Sequence, residues 1–289
     1  MQTPVSGLTA QRLPWLSLGI ALLVLVIPTA IFLWGTLWND EAYAHGPIVL
    51  GIIVWLMTRI QPPVLGDVSS TQKVLGFGLI AVGCVLYVIG RSQSLPILDV
   101  TALLPLCFGA VLVVGGTPAL RVYWFPLLFL VFLIPLPGFV LDMLTLPLKE
   151  RVSSIAEALL YSAGLPIGRS GVTLTIGQYQ LMVADACSGL NSMFSLSAMG
   201  VLYLFLMGHR SVARNVILLL LILPIAFLAN LVRVIFLILL TYYFGDEAGQ
   251  GFLHGFAGIF LFVIGLVLLF AADGLMGRIG WLANRKVQA

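Results

Sequence analysis

Charged residues are scarce in this chain of 289 residues, since Asp, Glu, Lys and Arg together make up only 9% of it. A soluble globular domain carries about a quarter. Fourteen basic and eleven acidic residues leave a net charge of +3, which is too small and too scattered to indicate a nucleic-acid-binding surface. Because 61% of the residues are hydrophobic, the composition excludes an ordinary soluble protein and is typical of a polytopic membrane protein.

Cysteine is scarce as well, and motifs that bind metals or nucleotides are absent from the sequence. The three cysteines, Cys84, Cys107 and Cys187, have no metal-type spacing and indicate no disulfide framework. There is no HExxH, no phosphate-binding loop, no GxGxxG in a suitable context and no serine-based catalytic elbow, so we expect neither a metal nor a cofactor. Cys84 and Cys107 lie inside apolar runs, and we interpret them as packing residues.

Long apolar runs predict an all-α polytopic membrane protein that forms one integral membrane domain over residues 1–289. A helix needs about 20 apolar residues to cross a bilayer. The run that follows Arg12 has this length, so we interpret it as an uncleaved helix and not a signal peptide. The predicted spans are residues 15–36, 43–58, 74–90, 98–116, 119–136, 188–207, 213–234 and 254–272.

The distribution of basic residues favours a cytoplasmic N-terminus. In that orientation, nine of the fourteen Lys and Arg residues lie on the cytoplasmic side, as the positive-inside rule requires. One long segment without a span, about residues 137–186, then lies at the outer face. It begins with the sequence IPLPG, whose prolines end the fifth span.

The outer segment is predicted to contain a short amphipathic helix and then a β-hairpin. The helix is indicated by apolar residues at helical spacing with charged residues between them, namely Leu144, Leu148, Ile155 and Leu159. Residues 172–183 alternate between apolar and polar, interrupted by Gly177 and Gln178. Glycine at the first position of a two-residue loop favours a type II′ turn. We expect this segment to cover the site and to hold an extended substrate, with strand pairing as one mode.

Cys187 lies in the sequence VADACSGLNS, where the alternating residues give way to a long apolar run. A thiol at a helix start meets free backbone N–H groups and the positive end of the helix dipole, and both favour the thiolate. Asp185 is placed to cap that helix, and its negative charge opposes the effect. The alternative interpretation is a small buried cysteine that serves packing only.

Three reactive side chains are predicted to lie at one depth in the membrane. At a rise of about 1.5 Å per residue, the helix from Arg214 to Arg233 covers about 28 Å, so Arg233 reaches the outer interface. The same arithmetic from Met207 back to Cys187, and from Asp273 back to His254, brings both residues to that face.

Arg233 is costly in this apolar setting, because an arginine at the bilayer centre costs about 2.5–3.5 kcal/mol on insertion scales. Asn230 lies three residues earlier and therefore on the same helix face. The alternative is an arginine that snorkels to water at the interface.

Two other histidines are interpreted by their positions. His45, in the sequence YAHGP, falls on the outer side and is a candidate for the site, although an ordinary interfacial cluster with Asp40 and Glu41 is the alternative. His209, beside Arg210, is interpreted as a solvated residue of the cytoplasmic end.

These residues predict nucleophilic chemistry. A Cys187 thiolate would attack a carbonyl carbon and form a thioester. His254 would exchange protons with the thiol or the leaving amine. Arg233 would donate hydrogen bonds to the developing oxyanion, since its permanent charge makes it a poor proton carrier.

The motifs around these residues resemble the exosortase/archaeosortase family. The resemblance lies in ADACSGL at Cys187, NLVRV with Asn230 and Arg233, HGFAG at His254 and YAHG at His45. The run GLPIGRSGVTLTIGQYQLMVADACSGL is similar to exosortases too, and its hairpin is similar to the exosortase B subtype. The resemblance covers most of residues 40–272.

The resemblance implies a membrane cysteine transpeptidase in the inner membrane of a Gram-negative bacterium that makes exopolysaccharide, with its site at the periplasmic face. Its partners would be secreted proteins with a C-terminal Pro-Glu-Pro motif, a transmembrane helix and a basic tail. Cys187 matches the family nucleophile, Arg233 the family arginine and His254 the third residue, which is an arginine in the archaeal branch. The residues expected to support them or to contact substrate are Asn230, His45, Asp185 and Ser188.

Two other functions fit the same residues. An exporter of polysaccharide or lipid would use the outer polar cluster as a gate and would need no nucleophile; related halves with broken helices would favour it, and the sequence has no such repeat. A cysteine-dependent membrane acyltransferase would share the chemistry but act on another substrate.

Overall fold

A computed structural model describes residues 5–39, 43–61, 63, 67–182, 189–245 and 252–287 of the chain. Within these ranges, some side chains lie outside the description, among them those of residues 182, 189–193 and 252–258. The described elements are eight α-helices, one 3₁₀ turn and three short strands. In chain order they are α1 (Val5–Thr36), α2 (Gly46–Arg59), α3 (Ser70–Ser92), α4 (Pro96–Phe129), a 3₁₀ turn (Leu130–Leu133), α5 (Gly138–Ser162), β1 (Ile167–Ser170), β2 (Thr173–Ile176), β3 (Tyr179–Met182), α6 (Gly189–Met207), α7 (Val212–Phe244) and α8 (Phe252–Val287).

The predicted all-α polytopic membrane fold is confirmed. Five described helices are long and apolar enough to cross a membrane, and two shorter apolar helices, Gly46–Arg59 and Phe194–Met207, accompany them. The difference from eight predicted spans has three sources. The first is α6, whose described side chains cover only the shorter stretch Phe194–Met207. The fourth and fifth spans are arms of α4, which bends at Gly116 where the backbone leaves the helical region at φ 63°. In addition, the 14 residues of α2 extend only about 21 Å, less than the hydrocarbon core of about 30 Å.

The residues divide into two compact units, an N-terminal unit (1–137) and a C-terminal unit (138–289). In the N-terminal unit, α3 and α4 form a tightly packed hairpin because α3 carries a stripe of buried glycines at seven-residue spacing: Gly76, Gly83 and Gly90. A Cβ atom at Gly83 would stand 2.5 Å from Leu106 Cγ, and one at Gly90 would stand 2.5 Å from the backbone nitrogen of Asp99. Small residues at such spacing let helix backbones approach closely in lipid.

A buried ion pair closes the same hairpin. Arg91 Nε lies 3.3 Å from Asp99 Oδ2, and the Asp99 side chain is fully buried. Thr29 of α1 donates a long hydrogen bond of 3.5 Å to Asp99 Oδ1. The Arg91 guanidinium lies over the rings of Phe32 and Tyr87. Because a buried charge is costly unless it is paired, this cluster ties α1, α3 and α4 together at one level.

In the C-terminal unit, a three-stranded antiparallel sheet of order β1-β2-β3 packs one face against α5 and α7. The predicted β2–β3 hairpin is confirmed, and Gly177 opens its two-residue loop at φ 57°. Strand β1 was not predicted. Its sequence IGRS lacks the apolar–polar alternation of a half-buried strand. Only Ile167 is buried, and the next three residues are exposed.

The predicted helix of the outer segment is confirmed as α5, but its buried face differs from the expected one. Val152, Ala156 and Leu160 pack against the sheet and α7. Ile155 and Leu159, two of the apolar residues that indicated the helix, are 40% and 50% exposed. The buried residues Ala156 and Leu160 thus each lie one position after a larger apolar residue that is exposed.

The glycine stripe generates a stability prediction. Replacing Gly90 by alanine should destabilise the protein by about 1–3 kcal/mol, since the new methyl group meets the backbone of α4, which has no rotamer to adjust. The measurement is the unfolding temperature of the purified protein in detergent.

Gly78→Ala is the matched control on the same helix, because nothing lies within 4 Å of a Cβ atom there. Its only expected effect is a gain in helix propensity of up to about 1 kcal/mol. Equal unfolding temperatures for Gly90→Ala and Gly78→Ala would contradict the proposed close contact.

Candidate active site

Arg233 and Asn230 lie on the buried face of α7. The two side chains are 3% and 2% exposed, and both have interaction partners within the structure. Ala226, Asn230, Arg233 and Leu237 recur at intervals of three and four residues and are all buried, as one face of a helix requires. A snorkelling arginine keeps its guanidinium in water. The burial of Arg233 therefore disfavours the snorkelling interpretation.

The sheet packs against the turn of α7 that carries Arg233. Leu231 and Val234, on either side of Arg233 in the sequence, belong to one apolar cluster with Leu174 and Ile176 of β2. Tyr179 and Leu181 of β3 pack against the same cluster. Strand β3 ends at Met182, five residues before Cys187. The hairpin that precedes the predicted nucleophile is thus anchored beside the predicted oxyanion donor.

Three of the predicted site residues, Asp185, Cys187 and Ser188, lie outside the described residues. Helix α6 begins at Gly189, two residues after Cys187. His254 occupies the third position of α8, and its side chain also lies outside the description. The predicted catalytic residues therefore belong to three different helices or their immediate starts.

Helices α6, α7 and α8 pack against each other in two apolar layers. The first layer joins Leu196 of α6, Ala226 and Ala229 of α7 and Leu261 of α8. The second joins Leu218 and Ile222 of α7 and Leu269 of α8, with Val201, Tyr203 and Leu204 of α6 against them. The second layer comes earlier in α7 but later in α6 and α8, so α7 runs antiparallel to the other two.

This layer order places the predicted site positions at one end of the bundle. Arg233 lies four residues beyond Ala229, about 6 Å along the helix axis. Gly189 lies seven residues before Leu196, and His254 seven residues before Leu261, about 10 Å each in the same direction. Arg233 and the starts of α6 and α8 are therefore on the same side of the first layer, while α7 continues beyond Arg233 to Phe244.

The opposite end of the same bundle is held by one buried carboxylate, Asp273 of α8. Tyr203 Oη donates to Asp273 Oδ2 over 2.7 Å, and Arg214 Nε donates to Oδ1 over 2.7 Å. Arg214 Nη2, in the same guanidinium, donates to the Asp273 backbone carbonyl oxygen over 2.9 Å. His209 Nε2 lies 3.1 Å from Asp273 Oδ2. We call these four residues the Asp273 cluster; it joins α6, the α6–α7 turn, α7 and α8.

The interpretation of His209 as a solvated residue is wrong. Its side chain is only 12% exposed and lies in the Asp273 cluster. The adjacent Arg210 suggested that His209 is solvated, because the partner of His209, Asp273, is 64 residues away in the sequence. Opposite charges that recur at equivalent depth in neighbouring spans, here Arg214 and Asp273, were the signal that could have revealed the cluster.

His45 lies in the N-terminal unit, directly before α2. Its half-buried ring makes a hydrogen bond with the backbone of Phe132. Nearby, Tyr43 Oη donates to the Leu136 carbonyl oxygen over 3.0 Å. Asp40 and Glu41 lie outside the described residues. These contacts fasten the start of α2 to the end of the 3₁₀ turn, and a role of His45 toward substrate stays a prediction.

Two of the three cysteines lie in the described part of the chain. Cys107 is buried, as a packing residue should be, whereas Cys84 is exposed on α3. Within the described ranges, no group of three or more His, Cys, Asp or Glu side chains is arranged to hold a metal ion.

Comparison with known proteins gives one match. A family model described as transmembrane exosortase matches residues 34–271 of the chain. No curated protein and no solved structure matches it.

The Asp273 cluster generates a prediction about the bundle. Asp273→Asn should lower the free energy of unfolding by at least the value of one charge-assisted hydrogen bond, about 1.5–3 kcal/mol, because Arg214 loses its buried anionic partner. Tyr203→Phe removes only one donor and should cost less. Thermal unfolding in detergent measures both changes.

Glu150→Gln is the control, since Glu150 is an exposed carboxylate on α5 and should tolerate the same chemical change. Unfolding temperatures that match for Asp273→Asn and Glu150→Gln would show that the cluster contributes nothing to stability.

Proposed function

Because this chain belongs to the transmembrane exosortase family, we propose that it is a membrane cysteine transpeptidase that cleaves the C-terminal sorting signal of secreted proteins through a thioester on Cys187. The observation that supports this proposal best is that Arg233 and the starts of α6 and α8 lie on the same side of one packed apolar layer. Helix α6 begins two residues after Cys187, α7 buries Arg233 and α8 begins with His254 in its first turn, all at one end of one bundle.

The proposed reaction begins with attack of the Cys187 thiolate on the scissile carbonyl carbon. The carbonyl oxygen gains the negative charge, and the Arg233 guanidinium donates hydrogen bonds to it. When the carbon–nitrogen bond breaks, His254 gives a proton to the leaving amine, and the acyl group stays on sulfur as a thioester. An acceptor nucleophile then attacks the thioester, loses its proton to His254 and releases the thiolate.

The division of roles between Arg233 and His254 follows from their protonation chemistry. A guanidinium keeps its protons throughout the physiological range, so it stabilises charge but does not carry protons. An imidazole changes charge near neutral pH and can serve both halves of the reaction. Asn230, Asp185, Ser188 and His45 are proposed to position these groups or to contact substrate.

The proposed setting is the inner membrane of a Gram-negative bacterium, with the site at the periplasmic face. A multi-pass membrane enzyme is suited to a substrate whose sorting signal contains its own transmembrane helix, because both lie in the same bilayer. The predicted Pro-Glu-Pro motif would then stand at the membrane surface, at the level of Arg233 and the starts of α6 and α8. The link to exopolysaccharide and the exosortase B subtype remain predictions from the sequence motifs.

The central test is to capture the thioester. Purified protein incubated with a peptide that contains the sorting signal should acquire the mass of the acyl fragment on Cys187, as measured by mass spectrometry of the intact protein and its digest. Cys187→Ala should acquire no mass and release no product. His254→Ala should form product about 10²–10⁴-fold more slowly, which is the usual contribution of a positioned acid or base.

Cys187→Ser separates an enzyme from an exporter, because transport needs no thiol. An export activity that survives Cys187→Ser and Cys187→Ala, without any acyl adduct on the natural chain, would contradict the proposed function. An adduct that carries a lipid acyl chain in place of a peptide would identify an acyltransferase.

Arg233→Lys tests the proposed oxyanion donor. Lysine keeps the charge but loses the planar fork that fixes two donors at once. We expect kcat to fall by about 10²–10³, equivalent to about 2.7–4 kcal/mol of transition-state free energy. Single-turnover rates at equal protein concentration measure the effect.

The exposed Arg210 provides the control, since Arg210→Lys should leave the rate unchanged. The unfolding temperature of Arg233→Lys reports whether the substitution also disturbs packing. Full activity of both Arg233→Lys and Arg233→Ala would remove Arg233 from the site and leave Cys187 and His254 as the reacting pair.

A further inference from the structure

The hydrogen-bond pattern of the sheet leaves one edge of β3 facing outward. Strand β3 pairs with β2 in the register Ile176↔Tyr179, Thr175↔Gln180, Leu174↔Leu181 and Thr173↔Met182. A two-residue loop is closed by a hydrogen-bonded pair, and such pairs alternate with non-bonded pairs in an antiparallel ladder. Tyr179 and Leu181 therefore bond to β2, while the N–H and C=O groups of Gln180 and Met182 point away from it.

At the opposite edge of the sheet, one backbone N–H group and one side chain of β1 make bonds within the protein. By the same alternation, Ile167 and Arg169 are the outward-facing residues of β1. The Ile167 N–H donates to the Leu165 carbonyl oxygen over 2.9 Å. The Arg169 side chain donates to Glu157 of α5 and to the Gly171 carbonyl oxygen. Among the described residues, β3 by contrast pairs only with β2.

Side-chain packing holds β3 firmly, and no strand of the described residues covers its outer edge. Tyr179 and Leu181 point toward the cluster that contains Leu231 and Val234 of α7, and the Gln180 side chain is exposed. A peptide strand added beside β3 would thus lie close to the turn of α7 that carries Arg233. The chain continues from β3 to Cys187 in five residues.

From this arrangement we infer that the outer edge of β3 is the docking site for the substrate, whose extended segment next to the scissile bond adds to the sheet as a fourth strand. The inference rests on the proposed function, because it needs a peptide substrate. The ligand is recognised by its main chain, through the N–H and C=O groups of Gln180 and Met182, so recognition tolerates different side chains. No covalent step is involved in this binding.

A backbone scan of the substrate tests the inference on the natural chain. In a series of peptides, each single amide near the scissile bond is replaced by an ester, which removes one N–H donor and leaves the side chains unchanged. Strand addition predicts a two-residue period: KM should rise roughly 3- to 10-fold at alternate positions and stay constant between them. A KM profile without this period would overturn the docking site.

The enzyme side is tested with a pair of proline variants. Gln180→Pro removes an outward-facing N–H of β3 and leaves the ladder with β2 intact, because edge strands accept proline at such positions. KM should rise by the same factor, with kcat at saturating peptide preserved. Arg169→Pro removes the equivalent N–H of β1 and should leave KM unchanged; the exposed ion pair that it breaks contributes little.

The outcomes distinguish failure of the proposed function from failure of strand addition. If the unmodified peptide forms no thioester and no product, the proposed function fails. If it is processed with a flat ester profile, or if Gln180→Pro and Arg169→Pro change KM equally, only strand addition fails. A periodic ester profile supports strand addition even if Gln180→Pro does not fold, because that measurement uses the natural chain.

Discussion

The arrangement of the C-terminal unit depends on the cost of leaving a carboxylate unpaired in apolar surroundings. Asp273 satisfies that requirement with donors from α6, the α6–α7 turn and α7, so these segments cannot move along α8 without exposing a buried charge. A helix is stiff over the length involved, about 28 Å from Arg214 to Arg233. The Asp273 cluster therefore fixes the axial positions of α6, α7 and α8 relative to each other also at the end where the candidate active site lies.

The same principle recurs in the N-terminal unit, where Asp99 joins α1, α3 and α4. Lipid tails are as apolar as leucine, so hydrophobicity cannot select one helix arrangement over another. Buried polar pairs and close backbone contacts therefore determine which helix arrangement forms. The glycines of α3 supply such contacts within their unit, and in the C-terminal unit Gly200 and Gly265 accept Ile222 and Leu196.

Local sequence patterns predicted the features that depend on neighbouring residues in the chain. Apolar runs located the helices, a proline-rich break located the end of the α4 region, and Gly177 located a turn that needs positive φ. Features that depend on distant partners were missed. Strand β1 exists because β2 offers it a partner, and His209 is buried because Asp273 lies 64 residues away. For the site, depth arithmetic predicted a common level for Cys187, Arg233 and His254, but only packing could show that Arg233 faces inward.

The sheet links the parts of the candidate active site to each other. One face of β2 and β3 packs on α7 on both sides of Arg233, and the end of β3 leads toward Cys187. A substrate strand held by the β3 edge, an oxyanion donor on α7 and a nucleophile between β3 and α6 would all be attached to one packed body. Such attachment matters because catalysis by positioned groups loses its advantage when reacting atoms are misplaced by about 1 Å. Arg233 is buried with partners inside the protein, so its guanidinium is held in one place, and a donor fixed in advance is what the proposed stabilisation of an oxyanion requires.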